Sequence, residues 1–396
     1  MKLITVPCTA WGAGLGLLAL VACGSGSQPS SAPTKPPIVP PHLVTQAPSR
    51  SLAEDVAVLT WKDGAQSALS LTFDDGLASQ PTYVAPILQS HQLAGTFNLI
   101  TGSLGSSAWY GTWDQFVALH AAGHEIASHS VSHPDLTQIT EGSEATPGTQ
   151  RYELAKAKAD IEAHIPGEPC LSFAYPFSAQ NPALEALVGA YYQSARTGLL
   201  NPASPVWNSA TAPAWNELVS YCPQFPTPRT TAAGDDAEQT NVQSLLGAAI
   251  KQQAWALLMT HGVVPFDQLA GYGGYQTQST QWFTALCDWI QAKRLSAEIW
   301  PDSQGHVMRY LRERNAVSLA SIARSESEID LALTDGLDDA TFNFPLTLEI
   351  AVPSTWTSVR LVNQDGGEVL INPVPASSVL RFQATPDRGA VRLIKQ

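Results

Sequence analysis

Between about residue 66 and residue 300, short β-rich runs alternate with longer runs of helical periodicity. Seven runs have the composition of strands: 68–73, 95–100, 125–128, 171–175, 192–195, 255–260 and 296–300. Helical spacing occupies the runs 80–92, 113–122, 151–164, 182–190, 241–252 and 281–293. Because repeated strand–helix units form parallel sheets, the pattern predicts an α/β fold. The sheet is either closed as a barrel or open and doubly wound. The Pro-, Ala- and Thr-rich region 200–240 is predicted to be a long loop.

The pattern changes after about residue 317, where short runs alternate apolar and polar residues. These runs are 329–334, 346–352, 358–362, 368–371, 379–382 and 390–394. Such alternation is typical of antiparallel sheets with one buried face and one solvated face. We therefore predict a small immunoglobulin-like β-sandwich over 326–396. The charged segment 303–325 is predicted to contain a solvated helix that links it to the α/β domain over 52–302.

The first 22 residues are typical of an export signal, with Lys2 before the apolar run 11–20. The run 20–23 resembles a bacterial lipobox and ends in Cys23, which would carry the lipid. An ordinary secretory signal with a chance cysteine is the alternative. Residues 23–51 are rich in Pro and Ser, so they are predicted to form a flexible tether. The sequence thus predicts an exported lipoprotein, anchored to the membrane through Cys23 on its periplasmic or extracellular face.

Charge and cysteine content exclude several classes of function. The formal net charge is −13, which disfavours nucleic acid as a partner because phosphates require a basic surface. No apolar stretch of about 20 residues follows the N-terminus, so no internal membrane span is predicted. Cys170, Cys222 and Cys287 allow at most one disulfide, and no CxxC pattern indicates a cysteine metal site. The oligomeric state is left open.

Two acidic residues and a glycine end the first strand-like run. Asp74, Asp75 and Gly76 directly follow the run 68–73. Adjacent side chains on an extended backbone point to opposite sides, so the two carboxylates can take different chemical roles. Gly76 permits a tight turn. Taken alone, a triplet of this kind at a strand end is more often ordinary turn chemistry than a site.

Three histidines also follow strand-like runs. His129 and His133 come after the run 125–128, and His261 follows the run 255–260. Two imidazoles four residues apart lie on one face if the segment is helical, and they can then bind one divalent metal ion. In a parallel barrel, catalytic groups gather at these strand ends. Surface histidines in a loop and a structural histidine at a strand end are the alternatives.

Taken in order, the three clusters resemble the motif set of the polysaccharide deacetylase family (the NodB-homology proteins of carbohydrate esterase family 4), over about residues 66–300. The resemblance implies a distorted (β/α)7 barrel and metal-dependent removal of acetyl groups from glycans. It implies Asp74 as general base, Asp75, His129 and His133 as metal ligands, His261 as general acid, and Leu258 as lining of the acetyl pocket. Zinc is the ion expected for this ligand set, with cobalt and nickel left open.

The third motif departs from the usual family pattern. The run 173–177 has no arginine, which leaves the cation that orients Asp74 to another residue. Arg196, at the end of the next strand, is the candidate. The backbone N–H of Tyr175 is the predicted oxyanion donor, and no acidic partner for His261 is visible.

Three functions are open at this stage. N-deacetylation of an acetylated glycan leads. An O-acetyl esterase acting on acetylated xylan is the first alternative, because the same residues serve both reactions. A catalytically impaired carbohydrate-binding surface protein is the second.

Overall fold

The computed structural model describes residues 50–225, 233–373 and 377–396. The signal peptide, most of the tether and the lipidation site Cys23 lie outside the described residues and stay predictions. The strands are β1 (Arg50–Ala53), β2 (Val56–Val58), β3 (Ser67–Phe73), β4 (Thr96–Leu99), β5 (Glu125–Ser128), β6 (Ser172–Ala174), β7 (Ser194–Arg196), β8 (Trp255–Thr260), β9 (Val263–Val264), β10 (Gln278–Ser279), β11 (Ile299–Pro301), β12 (Ser318–Arg324), β13 (Glu328–Thr334), β14 (Leu346–Ala351), β15 (Val359–Val362), β16 (Glu368–Ile371), β17 (Val379–Ala384) and β18 (Ala390–Lys395). The α-helices are α1 (Ala85–Ser90), α2 (Trp113–Ala121), α3 (Gln150–His164), α4 (Pro182–Val188), α5 (Ala233–Gln252), α6 (Leu269–Tyr272), α7 (Thr280–Leu295) and α8 (Gln304–Ala316). Among these helices, none combines the length and the apolar character that crossing a membrane requires.

The parallel sheet is built around β3, which pairs with β4, β8 and β11. From β4 the sheet continues through β5 and β6 to β7, and every pairing is parallel. After β7, Leu218 forms a bridge to Arg196 and Tyr221 forms one to Leu258, so this segment connects β7 to β8. The seven predicted strands are therefore confirmed, and they form the curled parallel sheet of a distorted (β/α) barrel.

The two faces of this sheet have different surroundings. Leu71 and Phe73 point toward the helices, where the ring of Phe73 meets that of Phe283 in α7 with centroids 5.7 Å apart. Thr72 and Asp74 point to the opposite side because side chains alternate along a strand. The side that faces the helices packs into the larger apolar core. The opposite side carries polar residues at the carboxyl end of β3.

Helix α5 begins earlier than predicted, at Ala233. Its first turn carries Asp235 and Asp236, whose negative charges are favoured at the positive end of the helix dipole. The predicted loop over 200–240 is therefore wrong for its last residues. Apolar periodicity missed this part of the helix because the buried apolar residues of α5 begin only at Val242.

Helix α8 was predicted to be solvated, and this is wrong. Val307, Met308, Tyr310 and Leu311 are fully buried. The hydroxyl of Tyr310 donates to the carbonyl of Leu59 at 2.8 Å. These side chains belong to one apolar cluster with residues of the barrel and of the C-terminal sheets. The helix is therefore a packed element between them.

The first turn of α8 contacts the amino ends of three parallel strands. The N–H of Gln304 donates to Thr96 at the start of β4, and the N–H of Gly305 donates to the Glu125 carboxylate at the start of β5, both at 2.8 Å. The amide of Gln304 also donates to Ser194 at the start of β7 at 2.9 Å. The helix therefore caps the end of the sheet opposite to Asp74.

Two antiparallel sheets occupy the C-terminal region. One has the order β12, β13, β18, β15, β16, and the other has the order β1, β2, β14, β17. Two N-terminal strands thus join this region, with Val58 opposite Leu348. β1 and β2 precede the barrel and β12 starts at Ser318, while the domain boundaries at residues 52 and 326 stay predictions. The immunoglobulin-like arrangement stays a prediction.

The three cysteines in the described residues, Cys170, Cys222 and Cys287, are buried and free. The single disulfide that their number allowed is therefore not formed among them.

The pairing of β2 with β14 predicts a contribution of β2 to stability. Val58→Ala removes fully buried methyl groups, so the free energy of unfolding is expected to fall by roughly 2 kcal/mol. Denaturant unfolding measures it. Val369→Ala is the matched control, because Val369 is 46% exposed on the edge strand β16. Equal losses in both variants would contradict a buried role for β2.

Candidate active site

Four candidate residues stand at the carboxyl ends of parallel strands. Asp74 follows β3, His129 follows β5, Arg196 ends β7 and His261 follows β8. The carboxyl ends of parallel strands meet at one edge of the sheet. The curled sheet therefore brings together residues that are far apart in the sequence.

Asp75, His129 and His133 form a cluster of metal-ligand type. One ligand atom from each lies within 4.8 Å of the others. The two Nε2 atoms are 3.1 Å apart, and Oδ1 of Asp75 is 3.7 Å from Nε2 of His129 and 3.9 Å from that of His133. Nδ1 of His129 donates to the carbonyl of Ala174 at 2.8 Å, which leaves a lone pair on Nε2 of the neutral ring. Two imidazoles and a carboxylate with free electron pairs fit a divalent cation.

The sequence spacing suggested that the two histidines share one face of a helix. In the structure they meet through a loop. Ser130 and His133 have left-handed φ values of 65° and 59°. Glu153 of α3 accepts the N–H groups of Val131 and Ser132 at 2.9 and 2.8 Å. Its carboxylate is buried. Glu153 therefore holds the loop that presents His133.

Burial sets the protonation of the cluster. It lowers the pKa of His129 to about 3, so this imidazole is neutral at pH 7 and able to bind a metal. Burial, with the negative charge of Asp74 as the second cause, raises the pKa of Asp75 to about 7. Asp75 also has a left-handed φ of 76°, a conformation that is costly for a residue with a Cβ. A cation beside Asp75 would offset the repulsion between the two carboxylates.

Asp74 forms a buried ion pair with Arg196. The two residues are 2% and 1% exposed, and Nη2 of Arg196 donates to Oδ1 of Asp74. The amide of Asn98 donates to the same oxygen at 2.9 Å. Burial opposes ionisation, but the positive charge of Arg196 and its hydrogen bond outweigh it and hold the pKa of Asp74 well below its usual range. The structure thus places Arg196 against Asp74, in the role of the arginine that the third motif lacks.

His261 follows β8, the strand that pairs with β3 and so stands next to Asp74 along the sheet edge. Burial lowers its pKa, and the charge of Asp74 opposes this shift. Within the part of the chain that the structure describes, Nδ1 of His261 has no hydrogen-bond partner. The ring meets that of Tyr275 edge-on, with centroids 5.2 Å apart.

The predicted role of Tyr175 is corrected by the sheet. Its backbone N–H donates to the carbonyl of Arg196 at 3.2 Å, so it is occupied by the pairing of β6 and β7. Its hydroxyl donates to the carbonyl of Asn216 at 2.9 Å. The sequence prediction placed Tyr175 by motif position alone, and the hydrogen bonds of the backbone decide otherwise.

The predicted role of Leu258 is corrected as well. Leu258 is fully buried and stands in register with Leu71, on the helix side of the sheet. Met259 stands in register with Thr72, on the same side as Asp74, and it is partly exposed. Met259 is therefore the apolar side chain of β8 that faces the site.

Sequence reasoning missed Gln80. Its amide nitrogen donates to the backbone carbonyl of Asp74 at 2.6 Å and to that of His261 at 3.3 Å. The side chain is fully buried in a single π-helical turn, Gln80–Val84. Gln80 thus joins the backbones that carry Asp74 and His261. A buried glutamine shortly after an Asp-Asp-Gly turn has no sequence signature of its own.

Residues 61–192 match the family model described as polysaccharide deacetylase. The match supports a polysaccharide deacetylase domain in this chain. The matched stretch contains Asp74, Asp75, His129 and His133 and ends before Arg196 and His261. The curled sheet brings these last two residues to the same edge, at the ends of β7 and β8.

A gellan lyase from Bacillus sp is 25% identical over 357 residues, which is 86% of this chain and 13% of that protein. The chain thus spans 13% of the length of this relative. Among solved structures, a candidate polysaccharide deacetylase of Mycobacterium smegmatis shares 15% identity with a TM-score of 0.46, covering 72% of this chain and 99% of its own. The Xyl-CE4 domain of a multidomain xylanase from the hindgut metagenome of Trinervitermes trinervoides shares 18% identity with a TM-score of 0.40, covering 61% and 89%.

The buried ion pair predicts an asymmetric effect of mutation. Arg196→Met is expected to lower the free energy of unfolding by roughly 3–5 kcal/mol, because it leaves Asp74 buried without a counter-charge. The double variant Asp74→Asn/Arg196→Met should lose less, since no buried charge remains. Denaturant unfolding in the presence of a chelator measures the free energy of unfolding of both variants without a contribution from bound metal.

The control for this pair is Arg151→Met, which removes an exposed arginine paired with Glu141 and should cause no measurable loss. A double variant as unstable as Arg196→Met alone would show that the unpaired charge is not the cause.

Proposed function

We propose that this protein is a divalent-metal-dependent hydrolase that removes acetyl groups from a glycan, with N-acetylated sugars as its substrate class. One observation carries the proposal. The Asp75, His129 and His133 cluster stands beside the ion-paired Asp74 and the partly buried His261, at the edge of the sheet where the carboxyl ends of the strands meet. A base, an acid and a cation site in one place are the parts that acetyl hydrolysis needs.

Asp75, His129 and His133 would hold the cation, which would supply Lewis acidity toward a water molecule and an acetyl carbonyl. Asp74 accepts the proton of the attacking water. Arg196 keeps this carboxylate ionised and fixed in orientation, while Asn98 donates to the same oxygen. The other carboxylate oxygen, Oδ2, lies 3.9 Å from Nε2 of His129 and so faces the cluster. Asp74 is therefore placed to act on a water held there.

His261 donates a proton to the leaving nitrogen. An amine is a poor leaving group without that proton. The burial that lowers the pKa of His261 makes its charged form a stronger proton donor. Met259 supplies an apolar surface on the same side of the sheet. Loss of His261 therefore affects turnover more than binding.

The direct experiment measures acetate release. The full-length protein is stripped of metal with chelator, reloaded with zinc, cobalt or nickel, and assayed in parallel on N-acetylglucosamine oligomers and acetylated xylan. Metal-dependent release from the oligomers is the expected result. Acetate release only from xylan would assign ester hydrolysis instead. A protein that neither binds stoichiometric metal nor releases acetate would favour a carbohydrate-binding role.

Mutation should separate the metal ligands from the base. Asp75→Ala and His133→Ala are expected to lose bound metal and activity together, because each removes a ligand. Asp74→Asn should keep the metal and lose roughly 100- to 10,000-fold in turnover. Metal analysis and acetate release measure the two properties. The control is His164→Ala, at an exposed histidine stacked on Trp113, which should keep both. Parent turnover in Asp74→Asn would overturn the assignment of the base.

Gln80 is expected to act as a positioning residue. Gln80→Met keeps the length of the side chain but removes the donor to the carbonyls of Asp74 and His261. Because a small displacement of reacting groups is costly, kcat should fall by roughly 10- to 100-fold. KM and metal content should stay at the parent values, since Gln80 is fully buried and touches neither. Gln89→Met on the exposed side of α1 is the control. A raised KM with parent kcat would instead place Gln80 in substrate binding.

A further inference from the structure

Two exposed aromatic rings lie against histidines of the candidate site. On the His261 side, Tyr275 is 62% exposed and its ring meets the imidazole at 5.2 Å. On the His133 side, Phe177 is exposed with its ring centroid 4.6 Å from that imidazole. Large rings of this kind are normally packed in a core, so their exposure beside the site indicates a ligand that covers them.

A second pair of rings lies close by. Trp109 and Tyr272 are stacked, with centroids 4.6 Å apart and planes 30° from parallel. The hydroxyl of Tyr272 donates to Ser79 at 2.8 Å. Trp109 remains 36% exposed. The stack therefore leaves part of an indole surface open to solvent.

The backbone ties this stack to the site. The N–H of Ala78 donates to the carbonyl of Trp109, and the N–H of Gly111 donates to that of Gly76, both at 2.9 Å. These bonds fix the Trp109 loop to the turn that follows Asp74 and Asp75. The position of the indole is therefore set by the same turn that presents the carboxylates.

Tyr272 is fixed from the other side by Gly262, the residue after His261. A Cβ at position 262 would lie 2.5 Å from a ring carbon of Tyr272. The ring thus packs directly on the backbone next to His261. Gly273 follows Tyr272 with a left-handed φ of 68°, which turns the chain toward Tyr275. One short loop therefore places both tyrosines at the His261 end of the site.

We propose that Tyr275 and the Trp109–Tyr272 stack form a sugar-binding subsite, which binds a neighbouring residue of the glycan chain while the acetylated sugar lies over the metal cluster. The inference rests on the proposed function, and it specifies that the substrate is a chain of sugars and not a single sugar. Aromatic faces bind the apolar faces of neutral sugar rings. The net charge of −13 disfavours a polyanionic glycan, so the expected chain is neutral or cationic.

The test compares substrates of different length. Tyr275→Ala and Trp109→Ala should each reduce kcat/KM on N-acetylglucosamine oligomers roughly tenfold more than on p-nitrophenyl acetate. The difference should grow from the disaccharide to the pentasaccharide. Tyr275→Phe keeps the ring and should restore the parent dependence on length. Tyr191→Ala, at a tyrosine bonded to Glu144 on α3's side of the barrel, is the control.

Equal losses on the oligomers and on the small ester would overturn the subsite, because the ring would then act through His261. Parent behaviour of both alanine variants on all substrates would overturn it too. Calorimetric titration of the pentasaccharide separates this inference from the proposed function. Binding that weakens in Tyr275→Ala, in a parent protein that releases no acetate, would support the subsite and contradict the hydrolase.

Discussion

The buried ion pair of Asp74 and Arg196 is the constraint on which the site depends. It joins the end of β3 to the end of β7. Two charges out of water are costly, and only close pairing with added hydrogen bonds offsets that cost. Asn98 supplies one such bond. Because Asp74 is held by Arg196, the adjacent Asp75 is left to turn toward the two histidines. One pairing therefore separates two neighbouring carboxylates into two roles.

The sequence predicted the parts of the site that lie at strand ends. Each strand is a short apolar run, and a polar cluster after it marks the sheet edge where Asp74, His129 and His261 meet. Arg196 was predicted because a cation was missing elsewhere. Gln80 and Glu153 were missed, since they act on backbone atoms of other segments and no spacing indicates such contacts. Roles assigned by motif position failed for Tyr175 and Leu258, where the register of the strands decides which side a residue faces.

The fold was predicted less well where long-range contacts decide it. Helix α8 has the composition of a solvated helix, yet charged side chains on it have partners within the protein. Arg309 pairs with Glu168 at 2.6 Å, and Glu313 accepts the N–H of Phe344 at 2.7 Å. Such partners allow charged residues to be buried beside apolar ones. In the same way, nothing in the three residues of β2 indicates that they pair with β14. The two strands are separated in the sequence by the whole barrel.

The packing of α8 makes the two ends of the parallel sheet different. The first turn of α8 hydrogen-bonds to the amino ends of β4, β5 and β7, and its apolar side chains continue the core toward the C-terminal sheets. That end of the parallel sheet is therefore covered by protein. The opposite end carries the charged groups and the exposed rings of Phe177 and Tyr275. Because the end next to α8 is covered by protein, the polar and aromatic groups of the site lie at the other end, where Phe177 and Tyr275 are open to solvent.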